Sequence, residues 1–190
     1  MTNDRTGPVA GAARIERVSV DDVEQVAALA AEIWYRHYPA IITRAQIEYM
    51  LKQRYDPVLV RAELGRRDLW WDKLVVDEVL SGFSSYWLAD SAREIKLDKI
   101  YVHQRWQRRG YGGMLIARVT EVARQQDCSR IVLAVNKSNR TAIDAYLKHG
   151  FHVADAIVKE IGGGFVMDDY IMEKPIAGGA GRPEAYQRGL

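Results

Sequence analysis

The chain has 190 residues and carries 27 Lys and Arg against 25 Asp and Glu, a formal net charge of +2. That balance is too near neutral to argue for a nucleic-acid partner on charge. The length suits one domain with a sizeable core, and 48% hydrophobic with 27% charged residues is a globular composition. A single cysteine, Cys128, excludes an intrachain disulfide framework and, near a helix end, reads as a small packed residue. No apolar run has the length of a membrane span and no secretory segment follows Met1, so the expected address is cytoplasmic, with no membrane partner.

Residues 1–13 are rich in Gly, Ala and polar residues and read as a flexible arm. Residues 14–20 alternate and predict a strand. Asp21 and Glu24 read as the N-cap and third position of a capping box. Val23, Val26, Ala27, Ala30, Ile33, Trp34 and His37 follow as a helical stripe that ends near Tyr38 and Pro39. Thr43 with Gln46 starts a second helix carrying Ile47, Met50 and Leu51. Asp56 with Pro57 starts a third, which Gly65 stops. Residues 70–76 and 79–88 flank a turn at Asp77 and Glu78 and predict an antiparallel hairpin. A polar loop over 89–93 leads to a strand over 94–102.

Past a basic, glycine-bearing loop, Leu115, Ile116, Val119, Val122 and Ala123 mark a helix to about residue 126. Residues 130–135 lack alternation and read as a short buried strand. Asn139 caps a helix carrying Ala142, Ile143, Tyr146 and Leu147, and Gly150 is its left-handed stop. Residues 151–161 and 165–174 are two strands joined across Gly162, Gly163 and Gly164, and 175–190 read as a flexible tail. The order is β, three helices, β-β-β, α, β, α, β-β. It predicts one α/β domain over 14–174 with a mixed sheet, mostly antiparallel, and a central parallel pair.

The stretch from Leu97 to Leu115 reads as strand, loop and helix. A loop of this kind holds a pyrophosphate: its N–H groups face the oxygens, and the next helix starts there with its positive dipole end. Glycine keeps the backbone within reach of the phosphate. A Walker A loop would end in Gly-Lys-Ser/Thr, whereas this one ends Gly112-Gly113-Met114. A dinucleotide fingerprint needs a third small residue where Leu115 stands, and an acidic end to the next strand, which ends Val135-Asn136. A tight turn with surface arginines is the remaining plain reading.

Gln107-Arg108-Arg109-Gly110-Tyr111-Gly112 matches Gln/Arg-x-x-Gly-x-Gly/Ala and resembles the acetyl-CoA pyrophosphate loop of the GNAT superfamily of N-acetyltransferases. Downstream, Asn139, Ala142, Tyr146, Gly150 and Phe151 resemble the Asn-x-x-Ala-x-x-x-Tyr-x-x-x-Gly-Phe segment of the same superfamily. The element order from Arg14 to Lys174 resembles the GNAT fold. The first helices and the closing residues 164–172 resemble small bacterial members compared with polyamine acetyltransferases.

The resemblance implies a set of roles. Backbone groups of Ile100, Tyr101 and Val102, on a strand that splays from its neighbour, would pair with the pantetheine arm. Gln107, Arg108, Arg109, Gly110, Tyr111, Gly112 and Gly113 would cradle the pyrophosphate, with Arg105, Arg108 and Arg109 as charged partners. Asn139 and Ala142 would meet the CoA arm, although capping alone explains Asn139. Tyr146 would protonate the departing CoA thiolate; its plain alternative is a core tyrosine on the helix's apolar face.

The acceptor ammonium must also lose a proton. Glu94 and Asp98, which share a strand face, rank as base ahead of His37. His103 and His149 have no assigned role. Asp168 and Asp169 would attract a cationic amine or face water, and the aromatics from Trp34 to Tyr38 would line a pocket or fill the core. The expected activity is direct acetyl transfer from acetyl-CoA, a cosubstrate, to a small-molecule or peptide amine. No metal and no covalent enzyme intermediate are expected. A non-catalytic acyl-CoA-binding sensor or interaction module is the alternative, and a nucleic-acid binder built on residues 105–109 the poorer third. A homodimer is expected as possible, without a defined interface.

Overall fold

Asp77 and Glu78 both take positive φ, 50° and 62°. A two-residue hairpin turn needs that backbone at both positions, because its twist then matches the twist of the strands it joins. In a computed structural model that describes residues 12–89 and 93–177, this turn joins β2 (Leu69–Val76) to β3 (Val79–Ala89). The expectations for residues 1–11, 90–92 and 178–190 lie outside the described residues.

The chain divides into two units. The first combines the residues up to Tyr86 with Asp98–Ile116; the second combines Trp87–Leu97 with the residues from Ala117 onward. In the first, β1 (Ala13–Arg17) pairs antiparallel with β2, from Ala13 opposite Val76 to Arg17 opposite Asp72. This strand is shorter than the alternation over 14–20 predicts. Val18 N still donates to Trp71 O at 3.0 Å, but Val20–Asp22 already form a single 3-10 turn.

Three helices follow: α1 (Val23–His37), α2 (Arg44–Tyr55) and α3 (Pro57–Leu64). The expected Asp21–Glu24 capping box is replaced by a pair two residues earlier, at the start of the 3-10 turn. Ser19 N and Ser19 Oγ both donate to Asp22 Oδ2 at 2.7 Å, while Glu24 pairs with Arg61. Thr43 Oγ1 accepts from Gln46 N at 3.2 Å and Asp56 Oδ1 from Val58 N at 2.8 Å, so the other two starts are capped as expected. The buried face of α1 includes Leu29, which the expected stripe omits, whereas His37 is only half-buried.

β4 (Glu94–Val102) runs through both units. In the second unit it pairs parallel with β5 (Arg130–Asn136) over three positions: Glu94 opposite Arg130, Ile95 opposite Ile131 and Lys96 opposite Val132. β4 continues for the six residues from Leu97 to Val102 beyond that register. β5 pairs along its whole length, antiparallel, with β7 (Phe165–Pro175), and β7 with β6 (His152–Gly162). Hydrogen-bonded neighbours therefore run β1-β2-β3-β4-β5-β7-β6, one mixed sheet with one parallel pair.

The remaining helices are α4 (Tyr111–Gln125) and α5 (Arg140–Lys148). The Cys128 side chain is buried, its thiol donates to Gln126 O at 3.7 Å, and burial pushes its pKa up, as suits a packed residue. No helix of the described residues is long and apolar enough to cross a membrane.

Candidate active site

In the first unit β4 runs into the basic loop through His103, which is held at three atoms. His103 N donates to Ser81 O at 2.9 Å. Its Nδ1 accepts from Arg105 N at 3.3 Å, so the ring proton sits on Nε2, which lies 2.8 Å from Glu32 Oε1 and donates to it. A 3-10 turn over Gln104–Trp106 follows. Gln107 then folds back, its Nε2 donating to Val102 O at 2.9 Å. This bond occupies the Val102 carbonyl, so Gln107 faces any ligand with its backbone and not with its amide.

Arg108 and Gly110 take positive φ, 60° and 88°, and α4 begins at Tyr111. A Cβ added at Gly110 or Gly112 would meet nothing within 4 Å. Packing within the protein therefore does not demand glycine at Gly112. What glycine leaves is open space at a helix start, where the first N–H groups have no intrahelical partner. The Tyr111 ring is buried with Leu74, Val76 and Leu115, so it anchors the loop and leaves only its backbone for a ligand. The Arg105 and Arg109 guanidinium groups lie over the Trp106 ring, at 5.6 and 5.2 Å from its centroid. Two of the three arginines are thus oriented by a ring and not simply solvated.

Further up β4, Asp98 Oδ1 accepts from Arg54 and Oδ2 from Lys99, both at 2.5 Å. Lys99 is only 4% exposed and lies over the rings of Trp71 and Tyr55. Burial alone would raise the Asp98 carboxyl; Arg54 and Lys99 outweigh it and hold the pKa below the usual carboxylate value. Beside this group stands an aromatic cluster. Trp34 lies 4.5 Å from Tyr38 and 6.2 Å from Tyr101, and Tyr38 and Tyr101 share a hydrogen bond between hydroxyls at 3.2 Å. Trp34 is buried, with no hydrogen-bond partner for Nε1 among the described residues, whereas Tyr35 is exposed beneath Arg44. The aromatics from Trp34 to Tyr38 therefore divide among core, half-buried and exposed positions.

In the second unit Glu94 is buried and paired with Arg130 at 2.8 Å and Lys96 at 2.6 Å. Burial would raise its pKa, but these two partners leave it lowered. Glu94 and Arg130 are also opposite each other in the parallel ladder, so the ion pair locks that register. Asn139 caps α5, its Oδ1 accepting from Ala142 N at 3.3 Å. Only Ile143 of α5 is buried; Leu147 is 49% exposed, and Tyr146 is half-buried with its ring 5.5 Å from that of Phe151. The expected buried face of Ala142, Ile143, Tyr146 and Leu147 is therefore absent, and Tyr146 is not a core tyrosine. Asp168 is ion-paired with Lys137, and Asp169 is buried in β7 opposite Asn136.

A strand that outruns a three-pair parallel register, followed by a glycine-bearing turn at a helix start, is the arrangement that the resemblance to an acyltransferase fold implies. The model of the Acetyltransferase (GNAT) family matches residues 24–151, more than half of the chain, and the chain belongs to that family. A curated relative, the spermidine N(1)-acetyltransferase of Thermoplasma acidophilum, is 24% identical over 164 residues, 84% of this chain and 95% of that protein. The thialysine N-epsilon-acetyltransferase of Bos taurus is 37% identical over 68 residues, 34% of this chain and 40% of that protein. Among solved structures, the PaiA N-acetyltransferase of T. acidophilum in complex with coenzyme A superposes with a TM-score of 0.76 at 23% identity. That match covers 86% of this chain and 99% of the other. A GCN5-related N-acetyltransferase from Rhodopseudomonas palustris superposes with a TM-score of 0.73 at 17% identity, over 89% and 99% of the two chains. The protein is an acetyl-CoA-dependent acyltransferase with the GNAT fold.

Proposed function

We propose that residues 14–174 act as one catalytic domain that moves an acetyl group directly from acetyl-CoA to a primary amine on a flexible, cationic acceptor. The observation that carries this reading is the open space at Gly110 and Gly112, beside the unpartnered N–H groups at the start of α4. Backbone N–H groups of residues 107–113 hold the pyrophosphate, and Arg105, Arg108 and Arg109 add charge. Ile100, Tyr101 and Val102 guide the pantetheine arm, helped by Asn139 and Ala142. The relatives named above act on spermidine and thialysine, and both names describe acetylation of an amine.

The neutral amine attacks the thioester carbonyl carbon. The C–N bond forms, the C–S bond breaks, and the thiolate takes a proton from the Tyr146 phenol, which recovers one as the amide nitrogen loses its own. An alkyl ammonium has a pKa of about 10. Asp98 and Glu94 are weak bases against it, because their cationic partners hold both ionised. We assign Asp98 as the fixed charge of the acceptor side and Glu94 to the register of β4 and β5, with the ammonium proton leaving to water.

The test is production of free CoA and an acetylated amine from acetyl-CoA, followed for spermidine, a thialysine-type amine and an alcohol of similar size. Acetylation of the amines and not of the alcohol supports the reading. Thioester turnover without an acetylated amine would count against it.

A further inference from the structure

His103 stands between β4 and the basic loop, and the reaction described above gives its side chain no part. The imidazole is mostly covered, with 17% of the side chain exposed. It caps the 3-10 turn: Nδ1 accepts from Arg105 N at 3.3 Å, and the His103 carbonyl accepts from Trp106 N at 2.8 Å. Such caps are ordinarily Ser, Thr, Asp or Asn, whose side-chain oxygens accept without any condition on a ring proton. An imidazole nitrogen accepts only while the ring proton sits on the other nitrogen. Glu32 secures that condition, because its carboxylate accepts from Nε2 at 2.8 Å and has no proton to give.

Glu32 belongs to α1, 71 residues from His103 in the chain. Its side chain is 60% exposed, and a charged contact so open to water adds little stability. It also brings a negative charge to a loop that takes an anion, which charge alone disfavours. What the bond does instead is fix the ring. We propose that His103 is a positioning residue of the acetyl-CoA loop, and that Glu32 makes it one by keeping its proton on Nε2. The proposal rests on the reading that residues 107–113 hold the pyrophosphate.

Through Nδ1 and its carbonyl, His103 orients the backbone of Arg105 and Trp106 together. The Trp106 ring in turn carries the guanidinium groups of Arg105 and Arg109 and stands 6.3 Å, edge-on, from the ring of Tyr111, where α4 begins. A tilt of this turn therefore tilts both arginines against the first N–H groups of the helix. The anchor is firm because the α1 segment is tied to β4 at a second point. Tyr38, just past the end of α1, shares the 3.2 Å hydroxyl contact with Tyr101 of β4. From Glu32 to Tyr38 a helix advances about 9 Å, and from Tyr101 to His103 a strand advances about 7 Å. The two ties thus lie side by side, with the chains running in opposite directions, and the loop is held to the helix as well as to its own strand.

The test is acetyl-CoA affinity by calorimetry, with circular dichroism showing that each variant is folded. His103→Ala removes the acceptor for Arg105 N and is expected to weaken binding about fivefold, the worth of one hydrogen bond. His103→Asn returns an acceptor at that place, since an asparagine oxygen bonds the N–H two residues on, and restores affinity to within about twofold of the wild type. Glu32→Ala weakens binding although it removes a negative charge. In the His103→Asn background it weakens nothing, because an amide oxygen needs no tautomer. Long-range proton–nitrogen NMR of the wild type shows the His103 proton on Nε2. A His103→Asn protein no better than His103→Ala, a Glu32→Ala protein that binds as tightly as the wild type, or a proton on Nδ1 would each overturn the inference. Gly112→Val, measured alongside, separates it from the reading beneath it. If Gly112→Val weakens binding and His103→Ala does not, this inference alone fails; if Gly112→Val leaves affinity intact, the pyrophosphate reading of the loop fails.

Discussion

Gln107 Nε2 donates to the carbonyl of Val102 across 2.9 Å, and this one bond ties the basic loop back to the strand that feeds it. Losing a hydrogen bond of this kind costs about 1 kcal/mol, or about fivefold in an equilibrium constant. Gln107→Ala is expected to raise the KM for acetyl-CoA by about that factor and leave kcat almost unchanged. Steady-state kinetics with acetyl-CoA as the varied substrate measures the split.

Gly112 separates packing from ligand binding. A Cβ there meets no protein atom within 4 Å, and the position is not among those with positive φ. Gly112→Val should therefore leave the denaturant midpoint within about 0.5 kcal/mol of the wild type, as surface changes usually do. Acetyl-CoA affinity, read by calorimetry, should fall at least about tenfold as the side chain takes the space beside the loop's N–H groups. Loss of stability with affinity intact would remove the loop from the pyrophosphate role.

Gly82 makes the opposite case. Its Cβ would stand 2.5 Å from Tyr101 O and 3.3 Å from Val102 Cα, so the backbone of β4 would have to move. Gly82→Ala is expected to destabilise the fold by about 1–3 kcal/mol. The denaturant midpoint checks this, and a change under about 0.5 kcal/mol would contradict it.

Most of the fold was legible because it rests on local chemistry. The caps at Thr43, Asp56 and Asn139, the stop at Gly150 and the turn at Asp77 and Glu78 each act within a few residues. The capping box ahead of α1 was misplaced by two residues, because Asp21 and Glu24 imitate one while the bonded pair, Ser19 and Asp22, closes the 3-10 turn that precedes the helix. The loop motif was legible. The contacts that set it, Gln107 to Val102 and His103 to Glu32, were not, because side-chain direction decides them, and in the second case 71 residues separate the partners. The apolar spacing of α5 suggested a buried face, yet only Ile143 is covered. Glu94 and Asp98 looked alike in sequence; their partners, Arg130 and Arg54, lie on distant elements.

The two carboxylates also set an acid limit. Both have folded pKa values lowered by their cationic partners. The unfolded chain then binds protons more readily, so stability rises with pH through this range. Their contribution is complete above about pH 4, the ordinary carboxylate value, and fades as pH falls through the lowered folded values. Urea midpoints should begin to drop as pH falls through about 4 and continue to drop below it, and drop less in Glu94→Gln. An equal drop in both proteins would show that Glu94 carries none of the linkage.

Tyr146 carries the most direct test of the chemistry, because it is half-buried and stands outside the packed face of α5. Tyr146→Phe removes the hydroxyl, and with it the proton donor, and leaves the ring on Phe151. The decisive measurement is acetyl transfer from acetyl-CoA to spermidine by wild type and Tyr146→Phe, with acetyl-CoA affinity determined for both. The expected result is acetylated spermidine from the wild type, a fall in kcat of about 100-fold or more in the variant, and unchanged affinity. Equal turnover in the two proteins would falsify the role of Tyr146. A wild type that binds acetyl-CoA but acetylates no amine would contradict the account itself.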